Sequence, residues 1–446
     1  MFLKIKRIGN SLRKNGITKE FVKKCSITIG ILFLIRLGTF IPVPDIDQEY
    51  IANNIKNTPI ASFVNTFSGG GIFVIGLFTL NIFPYINASI LMQVLVSSLP
   101  NLEKLQKEGG ESGKRKITQI TRLISLGWAI VQSISIVLFL KTVSFDWNLT
   151  VATQTIICLT TGAMIVLWLS EIITEEGIGN GPSLLIFMNI ASNLPNLSQS
   201  IFNNSDINII FLTFLVGSVF IVAISGVIYL QEGVRMIPLV SAKELKKVPS
   251  YNRTFNNYVP LRLNQAGVMP IIFTAALLVL PAYLINLNIF PFFKFPFFLK
   301  FSKIFYWIAY FSLVITFSSF YSTIVLNPKD ISNELRKMAV TIPGIRPGKR
   351  TTLFLKQTMK RVTFIGAIFL ALLTTIPNIL ELITNTSSLR GLGTTSLLII
   401  VGVVIDTERE IRSILLTNVY ENMKREQNKT KKRKKRKKKK SMINSK

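Results

Sequence analysis

Ala152 to Gly181 read ATQTIICLTTGAMIVLWLSEIITEEGIGNG, and the change of character within this stretch decides the fold. Residues 152–171 carry no charge before the closing Glu171. A helix that crosses a bilayer needs about 20 mostly apolar residues. The stretch then breaks at Gly177, Gly179 and Gly181. Because these glycines follow an apolar helix rather than a strand, they do not read as a dinucleotide-binding turn.

The same pattern repeats outward in both directions. Of 446 residues 49% are hydrophobic and 17% charged, against roughly 25% charged in an average soluble protein. The apolar runs give ten spans, at about 25–41, 77–98, 121–140, 152–171, 183–200, 209–230, 267–288, 304–326, 363–380 and 394–412. The fifth is the weakest, because Asn189, Asn193 and Pro195 interrupt it. The fold class is therefore an all-α polytopic membrane protein.

Charge sets the orientation. Residues 1–24 hold eight Lys/Arg, loops 99–122, 231–266 and 327–362 hold six, six and nine, and the chain after 405 holds sixteen. The opposite loops hold only Lys56, Lys141, Lys294, Lys300, Lys303 and Arg390, and Arg36 lies within a span. Under the positive-inside rule both termini face the cytoplasm or its equivalent.

Composition also excludes chemistry. With no histidine in the chain, a Ser-His-Asp triad, an HExxH zinc site and a haem His ligand are all ruled out. Cys25 and Cys158 are too few and too far apart for a disulfide framework or thiol cluster. Gly109–Arg115 (GGESGKR) resembles a phosphate loop, but Glu108 stands where its first glycine belongs and Arg115 where Ser or Thr belongs. The chain has no candidate catalytic residue, metal site or cofactor, and the expectation is that it is not an enzyme.

Two features depart from a plain ten-helix bundle. Ile60–Ser68 is apolar but too short to cross, and Gly69-Gly70-Gly71 ends it. Irregular backbone at membrane depth survives only against protein or a water-filled cavity, so a half-helix dipping in from outside is expected, with a surface amphipathic helix as the alternative. Loops 231–266 and 327–362 are also too long for connectors, and each is expected to project as a hairpin or finger. The tail Lys429–Lys440 has eleven Lys/Arg in twelve positions and self-repels. It is either a solvated anchor or a patch for RNA or anionic lipid.

Several separated strings resemble the SecY channel family of the general protein-export pathway. They are RLGTFIPVP (36–44), FSGG (67–70), PYINASI (84–90), EGGESGKRK (108–116), TEEGIGNG (174–181), Asn327-Pro328, PGIRPG (343–348) and GTTSLL (393–398). The resemblance implies two pseudo-symmetric five-helix halves, 25–200 and 201–412, between a basic N-terminus (1–24) and a basic tail (413–446). It also implies a plug at about 60–71 that includes Ala61, Phe63, Val64, Phe67, Ser68, Gly69 and Gly70. An apolar pore ring would fall at Ile82, Ile86, Ile186, Ile272 and Ile399, with Pro182 departing at the sixth place. Such a collar excludes water when empty and offers a passing peptide no hydrogen bonds.

By the same resemblance, spans two and seven, backed by three and eight, line a lateral gate. Apolar segments would leave through it by transfer energy, about −0.3 to −0.6 kcal/mol per central Leu or Phe. Arg346, Lys246 and Lys247, with Arg235, would dock the SecA motor ATPase or the ribosome. The implied partners also include a SecE-like and a SecG-like small subunit, unfolded precursors with signal sequences, and lipid. The AT-rich bias toward Ile, Asn and Lys, with the GNGPS string at 179–183, points to a plastid thylakoid membrane, the alternative being a bacterial plasma membrane. The competing function is a ten-span secondary transporter of a small solute. Such a protein places ionisable residues at the midplane, whereas here only Arg36 is clearly intramembrane.

Overall fold

A computed structural model of the chain describes residues 19–43, 76–140, 148–203, 209–241, 257–265, 267, 270, 274, 296–384 and 398–417. Helices dominate them. They are α1 (Lys19–Thr39), α2 (Phe83–Ser98), α3 (Pro100–Glu108), α4 (Gly110–Leu140), α5 (Leu149–Glu176), α6 (Gly181–Asn203) and α7 (Ile209–Glu232). Strands β1 (Val234–Ser241) and β2 (Asn257–Arg262) come next, then α8 (Pro296–Val325), α9 (Pro328–Lys337), β3 (Val340–Thr341) and α10 (Lys349–Thr384). The last helix, α11, covers 398–417.

Every expected span but the seventh falls on one of these helices, and 267–288 lies almost wholly outside the described residues. Among the described residues, Gly110–Leu138, Leu149–Glu176 and Ile308–Lys337 are long and apolar enough to cross a membrane. The membrane part is all-α and polytopic. The fifth expected span, the one that Asn189, Asn193 and Pro195 interrupt, lies on α6, which runs unbroken past Asn189 and Pro195.

Helices α4 and α10 outrun their expected spans the furthest. Helix α4 starts at Gly110, not 121, and α10 at Lys349, not 363. Counting apolar residues marks only the part of a helix that lies in hydrocarbon. A helix satisfies its own backbone and continues into water until a breaker stops it. On α10 the extension is amphipathic, with Thr351, Leu355, Thr358, Met359 and Val362 buried and Lys356, Lys360 and Arg361 exposed.

The helices form two packed groups. In the first, α4 packs on α5 and α1 on α5, with α2 against α4 and α6 against α5. In the second, α8 packs on α10 and α7 on α10. Third on fourth and first on fourth thus recur five spans later as eighth on ninth and sixth on ninth. Helix α11 stands between the groups. Its Ile399 and Val403 are buried with residues of α1, α2, α5 and α6, while its Leu398, Val401 and Ile405 are buried with residues of α7, α8 and α10.

The two long basic loops form one unit rather than two separate fingers. Strand β1 pairs antiparallel with β2, Val234 opposite Arg262 through Leu239 opposite Asn257. On its other side β1 pairs with β3 from the second loop, Val240 opposite Thr341. The strand order is β2-β1-β3. Ile237, Leu261, Ile342, Leu355 and Met359 form a small apolar core that seats this sheet on the aqueous end of α10.

Candidate pore constriction and docking surface

The candidate constriction starts from a turn between α1 and α2. Leu77 N–H donates to the Ile41 carbonyl at 2.9 Å, and tight turns follow at Thr79, Asn81 and Phe83. Asn81 has φ +47, a conformation that Asn tolerates better than other non-glycine residues. Its Oδ1 accepts the Ile82 N–H at 2.8 Å, and Pro84 suits the first helical turn of α2. The turn is wedged into place. A Cβ on Gly38 would overlap the Phe78 ring, and one on Gly162 would overlap the Leu77 carbonyl oxygen. The glycines of the first and fourth spans are therefore the sockets into which residues 77 and 78 fit.

Three helices then present branched aliphatics to one another. Ile82 and Ile86 enter from the start of α2, Ile186 and Ile190 from α6, and Ile399 and Val403 from α11; each pair is four residues apart, one above the other on a helix face. All six belong to a single apolar core, with Ile82 2% and Ile399 1% exposed. Four of the five expected ring positions meet here, and Ile272 lies outside the described residues. Ile190 and Val403 were not foreseen. Both lie one helical turn from a nominated residue, and that spacing was the available signal. Pro182 occupies the first turn of α6, half-buried, and Leu185 three residues on is fully buried in the same core. The plug positions Ala61, Phe63, Val64, Phe67, Ser68, Gly69 and Gly70 all fall outside the described residues.

A family model described as SecY matches residues 76–408. The chain belongs to the SecY family. A SecY relative from Trieres chinensis, a protein translocase subunit, is 53% identical over 91% of this chain and 98% of its own length. The Synechocystis relative of the same name is 43% identical over 89% and 92%. A solved structure of a protein-conducting channel superposes with a TM-score of 0.61 at 19% identity, covering 89% of this chain and 92% of the other. Sec61 in a canine ribosome–channel complex from the endoplasmic reticulum gives 0.57 at 20%, with the same coverage.

Two SecY motifs acquire physical reasons. The glycines of EGGESGKRK fold α3 back on α4, since a Cβ on Gly113 would overlap the Leu105 carbonyl; this is a helix crossing rather than a phosphate loop. In TEEGIGNG, the Thr28 hydroxyl of α1 accepts the Ile178 N–H at 2.9 Å and the Thr174 hydroxyl accepts the Gly181 N–H at 3.0 Å. These bonds fix the turn that aims α6.

The docking candidates separate. Arg346 sits on an exposed tip between Gly344 (φ +77) and Gly348 (φ +110). Thr351 Oγ1 donates to the Arg346 carbonyl at 3.0 Å, Ser332 Oγ donates to that of Gly348 at 3.2 Å, and Ile345 packs against the sheet core. Arg235 is exposed on β1 of the same sheet, opposite Leu261. Lys246 and Lys247 lie outside the described residues. Sequence reasoning missed an ion pair, Arg122 of α4 with Glu171 of α5 at 2.7 Å. Each sits at the edge of an expected span, where a charge reads as a boundary. Among the described residues no group of three or more His, Cys, Asp or Glu is placed to hold a metal ion.

Proposed function

We propose that this chain is the channel subunit of a protein translocase, passing unfolded precursors across the membrane and releasing apolar segments sideways into lipid. The observation that carries the reading is the set of branched aliphatics from α2, α6 and α11 that close on one another in a single core. These helices come from both ends of the chain, so the collar can open by separating them. Closed, it excludes water and ions by dewetting. Open, it holds a passing peptide only by weak apolar contact. No step needs a catalytic residue. The reading as a small-solute transporter lacks the midplane ionisable cluster that such a site uses.

Residues at about 60–71 would seal the collar as a plug, shortly ahead in sequence of the wedged turn at 76–82. Arg346 and Arg235, with Lys246 and Lys247, would dock the motor ATPase or the ribosome on the basic sheet. SecE-like and SecG-like small subunits complete the assembly, with precursors and lipid as its other partners. A plastid thylakoid membrane with both termini in the stroma is the location this reading favours. The higher identity to Trieres, Guillardia and Porphyra relatives (53%, 46% and 47%) than to Synechocystis (43%) supports it.

Ion conductance of the idle, reconstituted full chain tests the reading. Ile86→Ser and a deletion of residues 61–71 are each expected to raise the leak. Unchanged conductance in both variants would remove the collar and the plug together.

A further inference from the structure

Strand β2 forms an open edge of the aqueous sheet. The order is β2-β1-β3, and among the described residues no strand other than β1 pairs with β2. The register settles which backbone groups face that edge. Leu263 N–H donates to the Gly233 carbonyl at 2.8 Å, so the opposed pairs Arg235–Leu261 and Ile237–Val259, at alternate positions along the same ladder, exchange hydrogen bonds as well. The backbone groups of Tyr258, Pro260 and Arg262 therefore point away from β1, to the open side. All three residues are exposed.

An edge of this kind is a template for strand addition by any extended chain, because main-chain hydrogen bonds are blind to sequence. Side chains on one face of the hairpin add to the hazard. Met236 stands opposite Pro260 and Pro238 opposite Tyr258, with Met236 61% and Tyr258 48% exposed. Unfolded precursors are extended chains with unmet backbone groups, and the proposed activity brings them to this molecule.

Pro260 stands in the middle of the three outward positions. It supplies no N–H, and its ring fills the place where that hydrogen would meet an incoming carbonyl. Pro238 does the same on the other side of β1, just past the part that β3 covers at Val240 and Ser241.

We propose that Pro260 is a guard against strand addition, which keeps extended precursors from being captured on the sheet; the inference rests on the channel reading. The collar offers a passing chain no hydrogen bonds, and Pro260 gives the edge of the sheet the same property. The surface is then read by side chains alone. Pro260 is thus a specificity-determining residue that separates docking partners from precursors.

The test uses the full chain reconstituted in membranes. The probe is a short peptide of alternating Val and Thr, and the control is the same peptide methylated on every backbone nitrogen. Wild type should bind both alike. Pro260→Val and Pro260→Ala each restore the N–H, and should bind the unmethylated peptide about threefold to tenfold more tightly than wild type does. Binding of the methylated peptide should not change, and export of a precursor rich in Val and Thr should slow in both variants. Unchanged peptide binding in both variants, an equal gain for the methylated peptide, or unslowed export would each overturn the guard. So would a wild-type chain that already held the unmethylated peptide as tightly as the variants. A wild-type chain that exported no precursor would instead overturn the channel reading, and the guard's purpose with it.

Discussion

At the residue scale, the apolar collar depends on glycines as much as on isoleucines. Gly162 lies where any side chain would meet the Leu77 carbonyl, so Gly162→Ala must displace the turn that carries Ile82. The expected cost is about 1–3 kcal/mol, as for overpacked cores generally. Gly127, with open space around it, is the control; Gly127→Ala should be neutral or stabilising by up to about 1 kcal/mol. Thermal unfolding of the detergent-solubilised chain measures both, and equal effects at the two positions would remove the socket argument. From sequence, Ile82 and Ile86 were legible because they lie beside and within the PYINASI string. Gly162 was visible as a small residue in a span, but what it faces, Leu77, lies 85 positions away in the chain. The Arg122–Glu171 pair and the Tyr321–Gln93 bond share that difficulty, for no local pattern announces a partner 49 or 228 residues distant.

At the scale of elements, apolar run length located the spans but not the helices. It ends where water begins, whereas α4 and α10 both continue further, α10 on an amphipathic face. Loop length suggested a hairpin or finger at 231–266, and β1 and β2 pair antiparallel there. The joining of both loops into one β2-β1-β3 sheet was not legible, because β3 is two residues long. That sheet separates support from contact. Leu355 is fully buried beneath it, so Leu355→Ala should cost about 2–5 kcal/mol and loosen the tip. Arg346 is exposed with its backbone held by Thr351 and Ser332 through the neighbouring carbonyls, so Arg346→Glu should leave unfolding unchanged while stopping motor-driven export. ATP-dependent export assays read the second effect, and unaltered export by the Arg346→Glu chain would contradict its docking role.

At the scale of the whole molecule, two cores share α11. Its Ile399 and Val403 face one group while Leu398, Val401 and Ile405 face the other, so the last span couples the two helix groups, as the hydrogen bond from the Tyr321 hydroxyl to Gln93 Oε1 also does. This arrangement places the collar where movement between the groups is felt. Span count made the all-α, polytopic fold class readable from sequence alone. The sharing of α11 was not, because adjacent residues of one helix serve different cores and both read simply as apolar.

The central claim is that a polypeptide passes between the isoleucines of the collar. Ile86 would be replaced by a photoreactive residue in the full chain, and a precursor stalled halfway through translocation in reconstituted membranes. The exposed Trp168 of α5, replaced in the same way, serves as control. Strong crosslinks to the precursor from position 86 and none from position 168 are the expected result. Confirmed stalling without a crosslink at position 86 would contradict the account, and would mean that the precursor takes another path.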